Sequence, residues 1–221
     1  MTEKPVVLFV GTHMDDIELG CGGTIQAFVR KGFGVVGVVI STDPKREKVS
    51  RKSAELLGYE LVLGGLKESD ITVEAAHRLV DETVRSRHPL VVFGPTQKDD
   101  HHHHVLVSTG TDSAARRAAN LLHYCGPLRK HEFAPNVFFT FTEEEHQKKG
   151  QALTMIGEAY GPTRYFTEHY SMESAWLGQR VYEYEQRDEA PYLVRPDGEK
   201  WIPFAEGFEA RRLRDPSFIL S

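Results

Sequence analysis

Short apolar runs alternate with longer segments of helical character between Pro5 and Phe141. The predicted strands are Val6–Val10, Gly34–Ile40, Glu60–Leu63, Leu90–Phe93 and Val137–Phe141. The predicted helices are Ile17–Lys31, Lys45–Leu57, Val73–Arg87, Val105–His123 and Lys148–Tyr160. Strands that alternate with helices in this way form βαβ units, in which the strands are parallel and the helices cover the sheet. The pattern therefore predicts an α/β fold with a mainly parallel sheet.

The alternation weakens beyond about residue 145, where turn signals such as Pro196-Asp197-Gly198 interrupt the chain. A chain of 221 residues is long enough to bury one core and short for two full domains. We expect a single domain over residues 1–221, with an α/β core at 1–145 and a C-terminal appendage on the substrate side at 146–221.

The charge and the cysteines exclude several classes of protein. The formal net charge is −5, so there is no basic excess to neutralise the phosphates of a nucleic acid. No apolar run approaches the roughly 20 residues of a transmembrane segment, and the N-terminus has no signal-peptide pattern. Two cysteines, Cys21 and Cys125, are too few for a disulfide framework. We expect a cytoplasmic protein. The sequence does not determine its oligomeric state, and a homo-oligomer is one possibility.

Polar clusters follow two of the predicted strands at the point where each strand ends. His13, Asp15 and Asp16 come after the first strand, and Asp99–His104 comes after the fourth. In open α/β sheets, ligands bind in the crevice outside the carboxyl ends of the strands. If the two strands are near neighbours, the two clusters face one another and form one site.

The residue types in these loops are those that bind Zn²⁺. A catalytic zinc takes three protein ligands, usually histidine nitrogens and carboxylate oxygens, and keeps one position for water. His13 and Asp16 could reach one ion, with one histidine of the second loop as the third ligand. Asp15 points away from Asp16 and is placed as the general base, while a second histidine could stabilise an oxyanion. Fe²⁺ or another divalent metal suits the same ligands.

Each cluster taken alone has a simpler explanation. An Asp-Asp pair after a strand usually caps the next helix, and a histidine run is usually an exposed, adventitious metal binder. The two clusters together favour a functional site. Gly20–Gly23 lacks the spacing of a dinucleotide-binding loop, so close packing of a helix under the site, or a close approach of the backbone to a ligand, explains these glycines better. Cys21, which lies among them, is expected to be a buried structural thiol.

The first loop resembles the first motif of the LmbE-like or PIG-L de-N-acetylases, His-Pro-Asp-Asp-x-Glu followed by Leu-Gly-x-Gly-Gly. Here it reads His13-Met14-Asp15-Asp16-Ile17-Glu18-Leu19-Gly20-Cys21-Gly22-Gly23. Met14 replaces a proline that stiffens the turn and is not a ligand. The resemblance implies a Rossmann-like three-layer fold with a C-terminal extension packed on the sheet. It also implies metal-dependent removal of acetyl groups from substrates that contain N-acetylglucosamine.

The second loop resembles the family's His-x-Asp-His motif. The best frame implies a metal ligand at His104 and the oxyanion-stabilising histidine at His101. His103 stands where the family has an Asp that orients the first histidine, so a substitute is expected from Asp99–Asp100. The repeat also allows a frame one residue away, in which His102 or His103 takes one of these roles.

Weaker signals concern the substrate. Arg46, in the helix that ends before Gly58, resembles the family's substrate-binding arginine, although it fits a solvated helix residue equally well. Asp70 follows a strand and is a candidate contact for a substrate hydroxyl, with an exposed turn residue as the simpler interpretation. Phe204–Phe208 resembles the family's C-terminal segment, which packs against the sheet.

The residues and the resemblance together predict a zinc-dependent hydrolase. His13, Asp16 and His104 would bind the metal, Asp15 would deprotonate water and His101 would stabilise the oxyanion. The substrate class, an acetamido sugar of the N-acetylglucosamine type, is what the resemblance implies. Two alternatives stay open: a non-catalytic protein of the same fold that binds a metal or a carbohydrate, and a metal-dependent hydrolase of another amide or an ester.

Overall fold

Strands and helices alternate along the first half of the chain, as the sequence predicts. The computed structural model describes residues 4–126, 132–160, 173–179, 181, 192–194 and 204–215. The strands are β1 (Val6–Gly11), β2 (Gly34–Ser41), β3 (Glu60–Leu66), β4 (Val91–Pro95), β5 (Asn120–Tyr124), β6 (Val137–Phe141), β7 (Tyr192–Val194) and β8 (Phe204–Leu213). The longer helices are α1 (Asp16–Arg30), α2 (Glu47–Leu57), α3 (Val73–Arg87), α4 (His102–Ala114) and α5 (Glu143–Tyr160). Short 3₁₀ turns occupy Glu68–Asp70 and Ala115–Arg117.

The strands form a mainly parallel sheet in the order β3-β2-β1-β4-β5-β8-β6-β7. β1 pairs in parallel with β2 and β4, and β4 pairs in parallel with β5. β8 runs antiparallel to its neighbours β5 and β6. The strand order reverses between β1 and β4, because β2 and β3 extend the sheet on one side and β4 and β5 on the other. The α/β fold is therefore confirmed, and its topology opens a crevice at the carboxyl ends of β1 and β4.

Apolar side chains bury both faces of the central strands and so create three layers. In β1, Val7 and Phe9 pack into one hydrophobic cluster, while Leu8 and Val10 pack into the other. The first cluster also contains residues of α1, α2 and α5, and the second contains residues of α3 and α4. Because helices cover the sheet on both sides, the sequence of β1 is a continuous apolar run in which polar and apolar residues do not alternate.

The segment predicted as one helix, Val105–His123, contains a helix and a strand instead. α4 ends at Ala114, a 3₁₀ turn follows, and Ala118 leaves that turn in an extended conformation with ψ of 146°. β5 then begins at Asn120, and all five of its residues are buried. The sequence of so short an apolar run does not distinguish a strand from a buried helical turn. The segment is a strand because it pairs with β4 and β8.

The C-terminal segment Phe204–Phe208 belongs to β8, which enters the sheet between β5 and β6. The extension thus packs on the fold by completing its sheet, and Ala205 and Phe208 are fully buried there. The turn predicted at Pro196-Asp197-Gly198 lies outside the described residues. No helix within the described ranges has both the length and the apolar character that a membrane span requires.

Candidate metal centre

The loops that follow β1 and β4 meet at the carboxyl edge of the sheet. The first loop places His13 and Asp16 at the start of α1, and the second places Asp99 and His104 at the start of α4. β1 and β4 are hydrogen-bonded neighbours in parallel register. The condition on which the sequence prediction depends, that the two strands lie side by side, is therefore met.

His13, Asp16 and His104 point their polar atoms at one small region. Nδ1 of His13 lies 3.2 Å from Nε2 of His104 and 3.7 Å from Oδ2 of Asp16. Nε2 of His104 lies 3.4 Å from Oδ1 of Asp16. One ligand atom from each residue lies within 4.8 Å of the other two, so the three side chains could hold one metal ion. These are the three residues that the sequence analysis selects as ligands.

The donor set of this cluster fits a divalent metal. Two imidazole nitrogens and a carboxylate match the three-ligand sets of catalytic zinc, which keep a further position open. The side chains of His13, Asp16 and His104 are only 18%, 7% and 10% exposed. Because buried polar and charged groups need compensating partners, a shared cation would satisfy all three side chains at once.

Backbone and carboxylate contacts hold two of the three groups in place. Oδ2 of Asp16 accepts hydrogen bonds from the backbone N–H groups of Thr12 and His13, both at 2.8 Å. Nδ1 of His104 lies 2.9 Å from Oδ2 of the buried Asp99. A carboxylate behind a histidine fixes the tautomer and the orientation of its ring, so Nε2 of His104 is left to face the cluster.

Charges within the cluster shift the pKa values of its members in opposite directions. Burial opposes the ionisation of Asp16, but His104 and His13 hold the pKa of this carboxyl well below its usual range. Burial also disfavours a charged His104 ring, yet Asp16 and Asp99 raise the pKa of His104 to about 10. Burial lowers the pKa of His13. A cation bound in the cluster would therefore replace a proton on His104.

Asp15 lies beside the cluster rather than within it. The residue is 7% exposed and directly precedes α1, and its side chain does not cap that helix. Burial, followed by the charge of Asp15, raises the pKa of Tyr160. The guanidinium of Arg46 lies 3.5 Å from the centre of the Tyr160 ring. Tyr160 is thus influenced by the charge of Asp15 and packs against Arg46, and the sequence analysis did not select it.

His101 and His103 lie next to the cluster together with Glu68, which the sequence analysis also missed. The rings of His101 and His104 stack with their centroids 4.8 Å apart. Oε1 of Glu68 lies 3.4 Å from Nε2 of His13 and 3.4 Å from Nδ1 of His103. Glu68 stands in the 3₁₀ turn after β3 among other exposed polar residues, so nothing in the local sequence distinguishes it.

Asp70 and Asp99 have definite places that refine the sequence analysis. Asp70 is exposed and accepts a hydrogen bond from Ser69 at 2.9 Å. Asp99, considered as a partner for the His101 ring, instead accepts the backbone N–H of His101 at 2.8 Å through Oδ1. Its other oxygen faces the His104 ring. One aspartate therefore fixes the backbone at one histidine and the ring of the other.

Met14, at the position of the proline in the family motif, ties the first loop to the segment around α2. Its sulfur accepts the backbone N–H of Asp43 at 3.2 Å, and its carbonyl accepts the hydroxyl of Ser50 at 3.1 Å. The side chain is 3% exposed. Burial and these two contacts hold the turn in which proline would have restricted the backbone.

The glycines of α1 are required by close packing, as the sequence analysis expects. A Cβ atom on Gly20 would lie 2.4 Å from the ring of Tyr124, and one on Gly23 would lie 2.4 Å from the ring of Phe141. Cys21 is fully buried between them, and burial raises the pKa of its thiol well above the usual value. Such a thiol is unreactive and fills space in the core.

A buried ion pair fastens the middle of the same helix. Nζ of Lys149 in α5 lies 2.6 Å from Oε1 of Glu206 in β8 and donates to the carbonyl of Leu19 at 3.0 Å. Glu206 also accepts the backbone N–H groups of Gly23 and Thr24, at 2.9 and 2.8 Å. These contacts join α5 and β8 to α1 and thereby support the turn that carries the metal cluster.

The segment from residue 8 to residue 115 matches the family model of PIG-L, described as GlcNAc-PI de-N-acetylase. Over this segment, just under half of its length, the chain is similar to the PIG-L family. The matched segment includes both loops of the candidate metal centre. The chain is also 27% identical over 163 residues to the uncharacterized deacetylase YaiS of Escherichia coli K12, which covers 66% of this chain and 88% of that protein.

Solved structures share this fold at low sequence identity. N,N'-diacetylchitobiose deacetylase from Pyrococcus horikoshii matches with a TM-score of 0.60 and 17% identity, over 99% of this chain and 86% of that one. GalB, the 4-carboxy-2-hydroxymuconate hydratase of Pseudomonas putida KT2440, matches with a TM-score of 0.74 and 17% identity, over 96% and 98%. Because proteins with this fold include a deacetylase and a hydratase, the fold does not determine which reaction is catalysed. The reaction must be inferred from the residues of the site.

Proposed function

We propose that this protein is a zinc-dependent hydrolase that removes the N-acetyl group from an acetamido sugar conjugate of the N-acetylglucosamine type. The observation that carries the proposal is the convergence of His13, Asp16 and His104 on one point, with the buried Asp15 next to Asp16 in the chain. The family model that matches residues 8–115 supports the substrate class, since it is described as GlcNAc-PI de-N-acetylase.

His13, Asp16 and His104 would hold the ion. A bound Zn²⁺ would supply a Lewis acid that brings the pKa of a water to about 7 and polarises the acetamide carbonyl. Fe²⁺ would suit the same ligands. Asp99 keeps the His104 ring aimed at the ion, and the backbone N–H groups of the first loop keep Asp16 in place.

The proton transfers fall to Asp15 and His101. Asp15, a carboxylate outside the ligand set, accepts a proton from the attacking water and returns it to the departing amine. Burial, together with the neighbouring His104 and His103, lowers the pKa of His101, so this ring is neutral at pH 7. A neutral imidazole still donates one N–H, which stabilises the negative oxygen of the tetrahedral intermediate. The products are acetate and the free amino sugar.

Arg46 and Asp70 are the residues proposed to contact the substrate. Arg46 lies against Tyr160, whose pKa is raised by burial and by the charge of Asp15, and its side chain is 30% exposed, so it is open to a ligand. Asp70 is exposed two residues beyond Glu68 and suits a sugar hydroxyl. We propose Arg46 as a donor to the sugar conjugate and Asp70 as an acceptor from one of its hydroxyls.

The test uses purified protein loaded with one equivalent of Zn²⁺ and a panel of acylated sugars. The panel contains N-acetylglucosamine, N,N'-diacetylchitobiose, a lipid-linked N-acetylglucosamine and an O-acetylated sugar, with release of acetate and free amine as the readout. We expect hydrolysis of at least one acetamide. Asp15→Asn should lower kcat by about 10²-fold or more while the zinc content is unchanged. Asp81→Asn, at an aspartate of α3 that pairs with the exposed Arg85, is the matched control.

The same panel separates this function from the alternatives. A non-catalytic relative would retain zinc and release no acetate from any compound, a result favoured if His103 cannot replace the aspartate of the family motif. Hydrolysis of the O-acetylated sugar alone would identify an esterase. Either outcome, or full activity of Asp15→Asn, would overturn the proposed deacetylase.

A further inference from the structure

A second group of metal-binding atoms lies at the edge of the first. It contains Glu68, His101, His103 and the outer nitrogen of His13, and one ligand atom from each lies within 4.8 Å of the others. The four residues come from three separate segments: the loop after β1, the 3₁₀ turn after β3 and the start of α4. Such convergence of segments distant in sequence is a property of the fold and not of the histidine run alone.

Three polar atoms of this second group have no hydrogen-bond partner among the described residues. They are the buried Nδ1 of His101, Nδ1 of His103 and Nε2 of His13, of which the last two face the Glu68 carboxylate at 3.4 Å. A buried polar atom without a hydrogen bond is unfavourable, so such atoms in one place point to a common ligand. Glu68 is 60% exposed, which gives that ligand a path from solvent.

The lone pairs of the rings decide which residues can bind. A neutral imidazole has one nitrogen with a free lone pair, and Nδ1 of His13 already faces the first cluster. Nε2 of His13 therefore carries the hydrogen, and it faces the Glu68 carboxylate at 3.4 Å. The same carboxylate lies 3.4 Å from Nδ1 of His103. Glu68, His101 and His103 remain as the ligands.

We propose a second divalent-cation site formed by Glu68 and the Nδ1 atoms of His101 and His103. Two imidazoles and one carboxylate form a ligand set that Zn²⁺ accepts with a position left for water, and Cu²⁺ and Ni²⁺ also favour imidazole. The histidine run is thus divided by the fold: His104 faces the first cluster, His101 and His103 face the second, and the exposed His102 belongs to neither.

The second site has a consequence for catalysis that rests on the proposed function. His101 is the residue to which that function assigns the oxyanion. A cation on its Nδ1 would fix the ring in one orientation, so binding at the second site and hydrolysis would be coupled through this one histidine. The test of the site itself needs no activity and is therefore independent of whether the protein is a deacetylase.

The experiment is a titration of the metal-free full-length protein with Zn²⁺ alone, in competition with a chromophoric chelator. We expect two binding steps in the wild type. Asp16→Asn should lose the tighter step and retain the other. Glu68→Gln and His103→Gln should each weaken the second step by at least about tenfold and retain the first. His102→Gln, which removes a histidine of the same run, should retain both steps.

Two results would overturn the second site. One is a single binding step in the wild type at all zinc concentrations. The other is equal weakening by His102→Gln and His103→Gln, which would identify adventitious binding by a polyhistidine run. A different result would contradict the proposed function, namely that Asp16→Asn retains the tighter binding step, because Asp16 is a ligand in the proposed catalytic site. Thermal melts of each metal-free variant test whether the substitutions, including Asp16→Asn at a buried position, leave the protein folded.

Discussion

Nδ1 of His13 lies 3.2 Å from Nε2 of His104, although the two residues are 91 positions apart in the chain. The contact exists because β1 and β4 are parallel neighbours whose loops leave the sheet at the same edge. The His13 backbone is held by the Asp16 carboxylate, and the His104 ring by Asp99. These contacts partly preorganise the cluster for one ion, since less ordering remains when the ion binds.

Asp99→Asn should weaken zinc binding at the first cluster by about 10- to 100-fold, because it removes the carboxylate that orients His104. The change preserves the size of the side chain, so the fold should be retained. A competition titration with a chelator measures the affinity. Asp100→Asn is the matched control, because that neighbouring aspartate is exposed. Equal affinities for the wild type and Asp99→Asn would show that the carboxylate has no orienting role.

Zinc binding should release about one proton at pH 7, because a ring nitrogen must be deprotonated before it can ligate. In the metal-free protein burial disfavours a charged ring, but Asp16 and Asp99 raise the pKa of His104 to about 10, so the ring is protonated at pH 7. Affinity should therefore rise with pH until the pH reaches this pKa. Calorimetry in two buffers with different ionisation enthalpies gives the proton count, and identical enthalpies in both buffers would refute the prediction.

Arg46→Ala should raise KM by about tenfold and change kcat little, because it removes a charged donor from the substrate side of the site. Steady-state kinetics on the best substrate of the panel separates the two parameters. Lys48→Ala, which removes an exposed cation nearby in α2, is the control for a general effect of charge. An unchanged KM would leave Arg46 as a residue that only packs on Tyr160.

Gly23→Ala should lower the free energy of unfolding by about 1 to 3 kcal/mol, because its Cβ would lie 2.4 Å from the Phe141 ring. The gain in helix propensity, at most about 1 kcal/mol, offsets only part of this cost. Gly34→Ala is the control, since its Cβ would meet Val6 at an ordinary 3.4 Å. Urea denaturation gives both values, and a Gly23→Ala variant as stable as Gly34→Ala would contradict the packing argument.

Glu206→Gln should destabilise the protein by about 3 to 5 kcal/mol, because it leaves the buried Lys149 ammonium without its countercharge. Lys149→Met should cost less, since Glu206 retains its hydrogen bonds from Gly23 and Thr24. The two midpoints in urea test this order. The reverse order would show that the backbone contacts of Glu206 are not enough to keep its charge buried.

The sequence by itself determined the fold class and predicted the residues of the first cluster. Apolar runs alternating with helices require a covered parallel sheet, because such strands bury both faces. The residue types at the ends of two strands indicate His13, Asp16 and a histidine of the second loop as ligands, and the resemblance to the family motif implies that this histidine is His104. These predictions were possible because the position of a loop after a strand and the chemistry of its residues are both visible in the sequence.

The tertiary structure alone decided the contacts between segments far apart in the chain. β5 needed its partners β4 and β8 before it could be distinguished from the end of a helix. Glu68 stands among exposed polar residues of a 3₁₀ turn, and only the fold brings it within 3.4 Å of His13 and His103. The division of the histidine run between two groups of ligands likewise follows from the directions in which the side chains point at the start of α4. A run of identical residues does not show these directions in the sequence.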